Sequence, residues 1–126
     1  LVSSDLFELL RDVAQGSLRA APTFKSAHAV TIVLAAPGYP EAPQTGGVIE
    51  GLGADGQLET SIPNVTIFHA GTKRNDEGQF VTSGGRVLTV TAVASSRKEA
   101  RTLATTSAST IMFPGRVMRT DIAEKD

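Results

Sequence analysis

Residues 67 to 92, IFHAGTKRNDEGQFVTSGGRVLTVTA, leave the chain few ways to fold. Arg86 to Ala94 alternates strictly, with Val87, Thr89, Thr91 and Val93 on one face and Leu88, Val90, Ala92 and Ala94 on the other. That period of two predicts a long strand. Val65 to Ala70 predicts a second. Between them Asp76-Glu77-Gly78 supplies a turn joining Lys73-Arg74 to Phe80-Val81, the pattern of a hairpin. Gly84-Gly85-Arg86 then makes a corner at the head of the long strand. Two residues without side chains can take backbone angles closed to others and let a ligand reach the main chain. Arg86 adds a planar fork of donors matched to phosphate or carboxylate, so the corner reads as an anion receptor.

The flanking segments complete an α+β layout. Asp5 with Glu8 resembles a capping box, and Leu6, Leu9, Leu10, Val13 and Ala14 follow helical spacing up to Gly16. About three turns of helix are marginal alone, so this leucine face needs a surface. It could pack on the rest of this chain or on a preceding domain. A polar linker from Ser17 to Lys25 leads into AHAVTIVLAA (27 to 36), whose apolar character on both faces predicts a buried strand. Pro37-Gly38-Tyr39-Pro40 ends it. Val48 and Ile49 begin a short extended piece, and the glycine-rich run from 51 to 61 reads as a loop. Ser96 with Glu99 opens a second helix, with Ala100, Leu103, Ala104, Ser107, Ala108 and Ile111 as its apolar stripe and Phe113-Pro114-Gly115 as its stop.

Composition narrows the function classes. A chain of 126 residues can bury a core of its own without staples. It has no cysteine, which excludes disulfides, thiolate metal sites and a cysteine nucleophile, and fits the cytoplasm. Twelve basic against thirteen acidic residues leave a net charge of -1, without the basic footprint of a nucleic-acid or anionic-membrane partner. No apolar run approaches the roughly 20 residues of a membrane span. The opening LVSSDLFELL lacks the charge and cleavage pattern of a signal peptide and reads as a chain beginning in mid-structure.

The order of elements, taken with AVTIVLAAPGYP, GGVIEGL, IFHAGT, FVTSGGRVLTVTA and IMFPGRVMRTDIA, resembles the C-terminal domain of the phosphoribosylamine-glycine ligase family, ATP-grasp enzymes of purine biosynthesis. Each of these words is common alone; five in order are specific. The resemblance implies a mainly antiparallel, single-hybrid-like domain over residues 26–126. Residues 1–25 would then be the terminal helix and linker of the ATP-grasp domain. It implies a reaction in which ATP, glycine and phosphoribosylamine give glycinamide ribonucleotide, ADP and phosphate, through glycyl phosphate. ATP and magnesium belong to the complete enzyme, since the glycine-rich flap and metal ligands have no counterpart here. The expectation is no catalytic residue, no metal and no cofactor in this chain, which would be inactive alone. Its partners would be the missing ATP-grasp and N-terminal domains and the small-molecule substrate phosphoribosylamine.

The resemblance also implies site roles. Gly84, Gly85 and Arg86 would bind the substrate phosphate, with Gly71 and Thr72 lining the same cleft. His69 reads as a hydrogen-bonded strand residue rather than a catalyst, and Tyr39 as a turn anchor. Ser83 and Thr89 stand where the family often has asparagine and glycine, Glu41 replaces a usual glycine, and only one arginine of the closing segment survives, so Arg119 inherits no role.

Other motifs are refused. Gly51-Leu52-Gly53-Ala54-Asp55-Gly56 satisfies GxGxxG, but Pro63 leaves no room for the helix that would receive a pyrophosphate, and the run reads as a flexible loop. Asn64-Val65-Thr66 lacks a secretion context, and Ser83, Ser95 and Ser96 lack a histidine and acid at triad spacing. The alternative to an enzyme domain is a self-standing carrier or binding module, of biotinyl or lipoyl type, or the corresponding domain of a related ATP-grasp carboxylase. A carrier would need its lysine at a hairpin tip, whereas Lys73 sits beside Arg74 and Asn75.

Overall fold

The computed structural model of the chain describes residues 1–124. Its elements are α1 (Leu6–Ala14), β1 (His28–Ala35), β2 (Val65–His69), β3 (Thr72–Arg74), β4 (Phe80–Thr82), β5 (Arg86–Ala94) and α2 (Arg97–Ser109). The long alternating strand β5 is the centre of an antiparallel sheet ordered β1-β5-β2, and β3 and β4 form the hairpin. The expected α+β, mainly antiparallel fold is what the chain adopts.

One face of the three-stranded sheet carries the core. Val90 of β5 stands between Ile32 of β1 and Ile67 of β2, and Leu88 pairs with Leu34. Helix α2 covers these side chains with Ala100, Ala104 and Ala108, all fully buried. Small residues let the helix axis approach the sheet, while Ile111 just beyond the helix fills its end. Burying each of the large side chains contributes about 1.5–3 kcal/mol. Truncating Leu88 to alanine would cost about 2–5 kcal/mol, because no neighbour can close the space.

The reading of residues 27 to 36 as buried on both faces is corrected. Among the strands β1 pairs with β5 alone, and its residues alternate: Val30, Ile32 and Leu34 are buried, Thr31 and Val33 exposed. The single helix covers one face of the sheet, and the opposite face is left to Thr31, Thr91 and Phe68, with Thr31 and Thr91 joined through their hydroxyls at 2.8 Å. Apolar periodicity reports which residues tolerate burial; it cannot report how many layers exist to bury them.

The two helices begin as expected. The Asp5 carboxylate accepts from the Glu8 N–H at 3.1 Å, and the Ser96 hydroxyl accepts from the Glu99 N–H at 3.2 Å. The apolar face of α1 does not fold back on the chain: Leu6, Phe7, Leu10 and Val13 are all more than half exposed. Residues 1–4 instead pair with residues 23–25, where Ser3 N–H donates to Thr23 O at 2.9 Å and Lys25 N–H to Leu1 O at 2.8 Å. The segment therefore closes on itself through its own ends.

The hairpin is seated by the extended piece before it. Ile49 N–H donates to Phe80 O and Thr82 N–H to Gly47 O, each at 2.8 Å, so residues 46–50 run beside β4. The chain after α2 returns to the sheet at Val117, which exchanges two backbone hydrogen bonds with Ala35 at 2.8 and 2.9 Å. Arg101 holds this tail through the carbonyls of Thr120 and Ile122, at 2.8 and 2.9 Å. Among the described residues no helix is long and apolar enough to cross a membrane.

Candidate functional site

The Gly84-Gly85-Arg86 corner lies where the end of β1, the β2–β3 link and the head of β5 meet. Ala36 N–H donates to Gly85 O at 2.8 Å, Gly71 N–H to Arg86 O at 2.9 Å, and Ser83 N–H to Gly71 O at 2.8 Å. Three backbone bonds thus string residues 83–86 between two neighbouring segments. Neither Gly84 nor Gly85 has a positive φ, which corrects part of the reason for expecting glycine there. Close approach is the cause instead. A Cβ on Gly84 would stand 3.1 Å from Gly71 Cα, and one on Gly85 would stand 2.4 Å from Cδ2 of Tyr39.

What remains unused at the corner is donor capacity. The Arg86 side chain is exposed and has neither a hydrogen bond nor an ion pair among the described residues. The N–H groups of Gly84 and Gly85 have no acceptor among them either. An unpaired cation next in sequence to two adjacent backbone donors is a combination that can attract an oxyanion. The hollows of about 810 Å³ beside α2 and about 710 Å³ beside Met112 are lined by other residues.

Gly71 and Thr72 stand beside the corner in different ways. Gly71 supports it through backbone bonds, whereas the Thr72 hydroxyl turns to His69 Nδ1 at 2.8 Å. His69 Nε2 lies 2.8 Å from Gly56 O, and a carbonyl only accepts, so Nε2 carries the proton and Nδ1 accepts from Thr72. With both nitrogens committed, the ring ties β2 to the 51–58 loop. It packs on Phe80 at 4.9 Å between centroids, and the Arg74 guanidinium lies 4.1 Å from the centroid of the same Phe80 ring while donating to Gly78 O and Ala54 O. The GxGxxG run is a loop, closed by Gly53 N–H to Gln57 O at 2.8 Å and by a bridge between Leu52 and Leu58.

Lys73 belongs to β3, opposite Val81, while the hairpin turns at Asp76 to Gly78. It is not at a tip, as a carrier lysine would be. Arg119 pairs with Asp121 at 2.8 Å, which draws that carboxyl below its ordinary range. Among the described residues no three imidazole or carboxylate groups gather to hold a metal ion.

Two contributions to this end of the fold were not read from the sequence. Tyr39, read only as a turn anchor, covers Gly85. Gln57 grips the edge of β2, its Oε1 accepting from Ile67 N–H at 2.9 Å and its Nε2 donating to Ile67 O at 3.1 Å. Neither has a local signal, because each meets its partner through tertiary structure.

A three-stranded antiparallel sheet under one helix, with a hairpin at one end, defines a small α+β domain. Residues 29–125 match the family model described as phosphoribosylglycinamide synthetase, C domain, and the chain belongs to that family. It is 44% identical over 123 residues to the phosphoribosylamine–glycine ligase of Caulobacter vibrioides, covering 96% of this chain and 28% of that protein. It is 36% identical to the trifunctional purine biosynthetic protein adenosine-3 of Chironomus tentans, covering 99% of this chain and 9% of that one. The crystal structure of phosphoribosylamine–glycine ligase from Thermotoga maritima superposes with a TM-score of 0.72 at 33% identity, over 92% of this chain and 27% of that one. The chain therefore spans little more than a quarter of the length of the single-function relatives named here.

Proposed function

We propose that the chain serves as the C-terminal domain of a cytoplasmic phosphoribosylamine-glycine ligase and that its Gly84-Gly85-Arg86 corner receives the 5-phosphate of phosphoribosylamine. The enzyme would join the amine of that sugar phosphate to glycine at the expense of ATP. This domain closes one side of the active site. The unpartnered Arg86 side chain, next in sequence to two residues with unpartnered N–H groups, is the observation that carries the reading. An oxyanion there gains a charge-assisted bond worth about 1.5–3 kcal/mol without displacing an internal partner.

ATP and magnesium fall to residues outside this chain; among its described residues no carboxylate cluster gathers for the metal. The isolated 126 residues accordingly form no ADP and no product. Residues 1–25 are assigned to the end of the preceding ATP-grasp domain; support comes from the family match beginning only at residue 29, and from the exposed apolar face of α1.

The test is kinetic. In the full-length enzyme, Arg86→Ala raises KM for phosphoribosylamine roughly 10- to 150-fold and leaves KM for ATP unchanged. Equal kinetics for variant and parent would remove the assignment.

A further inference from the structure

We infer that Tyr39 is a positioning residue for the phosphate corner, an inference that rests on the function proposed above. The phenol ring lies against Gly85 on the side where a side chain would project. A Cβ there would meet Cδ2 at 2.4 Å, Cε2 at 3.0 Å and Cγ at 3.4 Å. The ring thus occupies the volume of the missing side chain and leaves the Gly84-Gly85 peptide only its other side to offer a ligand.

The turn that carries the ring is itself anchored. Tyr39 N–H donates to Ala36 O at 3.3 Å, Ala42 N–H to Gly38 O at 2.8 Å and Gln44 N–H to Pro37 O at 2.9 Å, while Ala36 N–H holds Gly85 O at 2.8 Å. Ring and corner are therefore tied to the same end of β1. Tyr39 remains 46% exposed, and its hydroxyl has no partner among the described residues, so the contact with Gly85 is made by ring carbons. Shape, not the phenolic oxygen, does the positioning.

The two glycine donors, on the Ser83-Gly84 and Gly84-Gly85 peptides, hold an oxyanion well only if both planes are fixed before the ligand arrives. Removing the ring frees the Gly84-Gly85 plane to rotate. In the full-length enzyme, Tyr39→Ala raises KM for phosphoribosylamine about tenfold, the equivalent of one neutral hydrogen bond, while kcat and KM for ATP stay at parent values. Tyr39→Phe behaves as the parent. Gly85→Ala is harmful in the parent and adds little to Tyr39→Ala, because the vacated ring volume accepts the methyl group.

Arg86→Ala is measured alongside to separate the two ideas. If Arg86→Ala has no effect, the phosphate reading falls and this inference with it. If Arg86→Ala raises KM but Tyr39→Ala does not, or if Tyr39→Phe is as impaired as Tyr39→Ala, the positioning role alone is overturned. Additive losses for Tyr39→Ala and Gly85→Ala overturn it as well.

Discussion

Gly71 and Gly84 cross so closely that a Cβ built on Gly71 would stand 2.7 Å from Gly84 Cα and 2.8 Å from Arg86 O. Both obstacles are backbone, and backbone cannot swing aside as a long side chain can. Gly71→Ala must therefore push the corner away from the β2–β3 link and strain two hydrogen bonds. The expected cost is about 1–3 kcal/mol in denaturant unfolding. A stability equal to that of the parent would mean the crossing is looser than described.

Gln57 substitutes for a missing fourth strand beside Ile67. Its amide supplies both the donor and the acceptor that a neighbouring strand would offer. Gln57→Ala strands a partly buried N–H and C=O, at about 1–3 kcal/mol. Amide exchange at Ile67 should accelerate in the variant more than at Val90 in the strand centre. Unchanged protection at Ile67 would contradict the role.

Ser107 is completely buried, and its hydroxyl has no hydrogen-bond partner. An unpartnered buried hydroxyl costs free energy that a methyl group does not. Ser107→Ala should leave stability unchanged or raise it by about 1 kcal/mol, read from the denaturation midpoint. A clear loss would show that the hydroxyl is satisfied after all.

At the start of α2, hydrogen bonds from Ser95 first and Ser96 second hold the Glu99 carboxyl below its ordinary range. A carboxyl depressed in the folded state stabilises above its unfolded pKa, and that contribution is lost as pH falls through the folded value. The stability gap between the parent and Glu99→Gln should therefore shrink on acidification through the carboxylate range. A gap independent of pH would exclude the carboxylate as its source. Ser96→Ala, which removes the cap itself, costs about 1 kcal/mol at neutral pH.

The features legible in the sequence are those a short window encodes. The alternation of Arg86 to Ala94, the Asp76-Glu77-Gly78 turn and the Ser96-Glu99 cap each name their own structure. The hairpin turn has a further organiser: Asn75 Oδ1 accepts from the N–H groups of Glu77 and Gln79 at 3.1 and 2.8 Å. Layering was not legible, so Val33 on β1 read as core although no element covers it. The glycines at the corner were found for a reason only partly right, since their φ angles are ordinary and the constraint comes from Gly71 and Tyr39, distant in sequence. Close approach between remote backbones leaves no pattern in a single chain.

The central claim is that Arg86 and the two glycines before it form a phosphate receptor. Titrating the 15N-labelled chain with ribose 5-phosphate, and separately with ribose, measures this directly. Ribose 5-phosphate should shift the Gly84 and Gly85 amides and the Arg86 Nε resonance, ribose should leave them in place, and Arg86→Ala should abolish the response. Shifts centred on another region, or the same shifts from ribose alone, would contradict it.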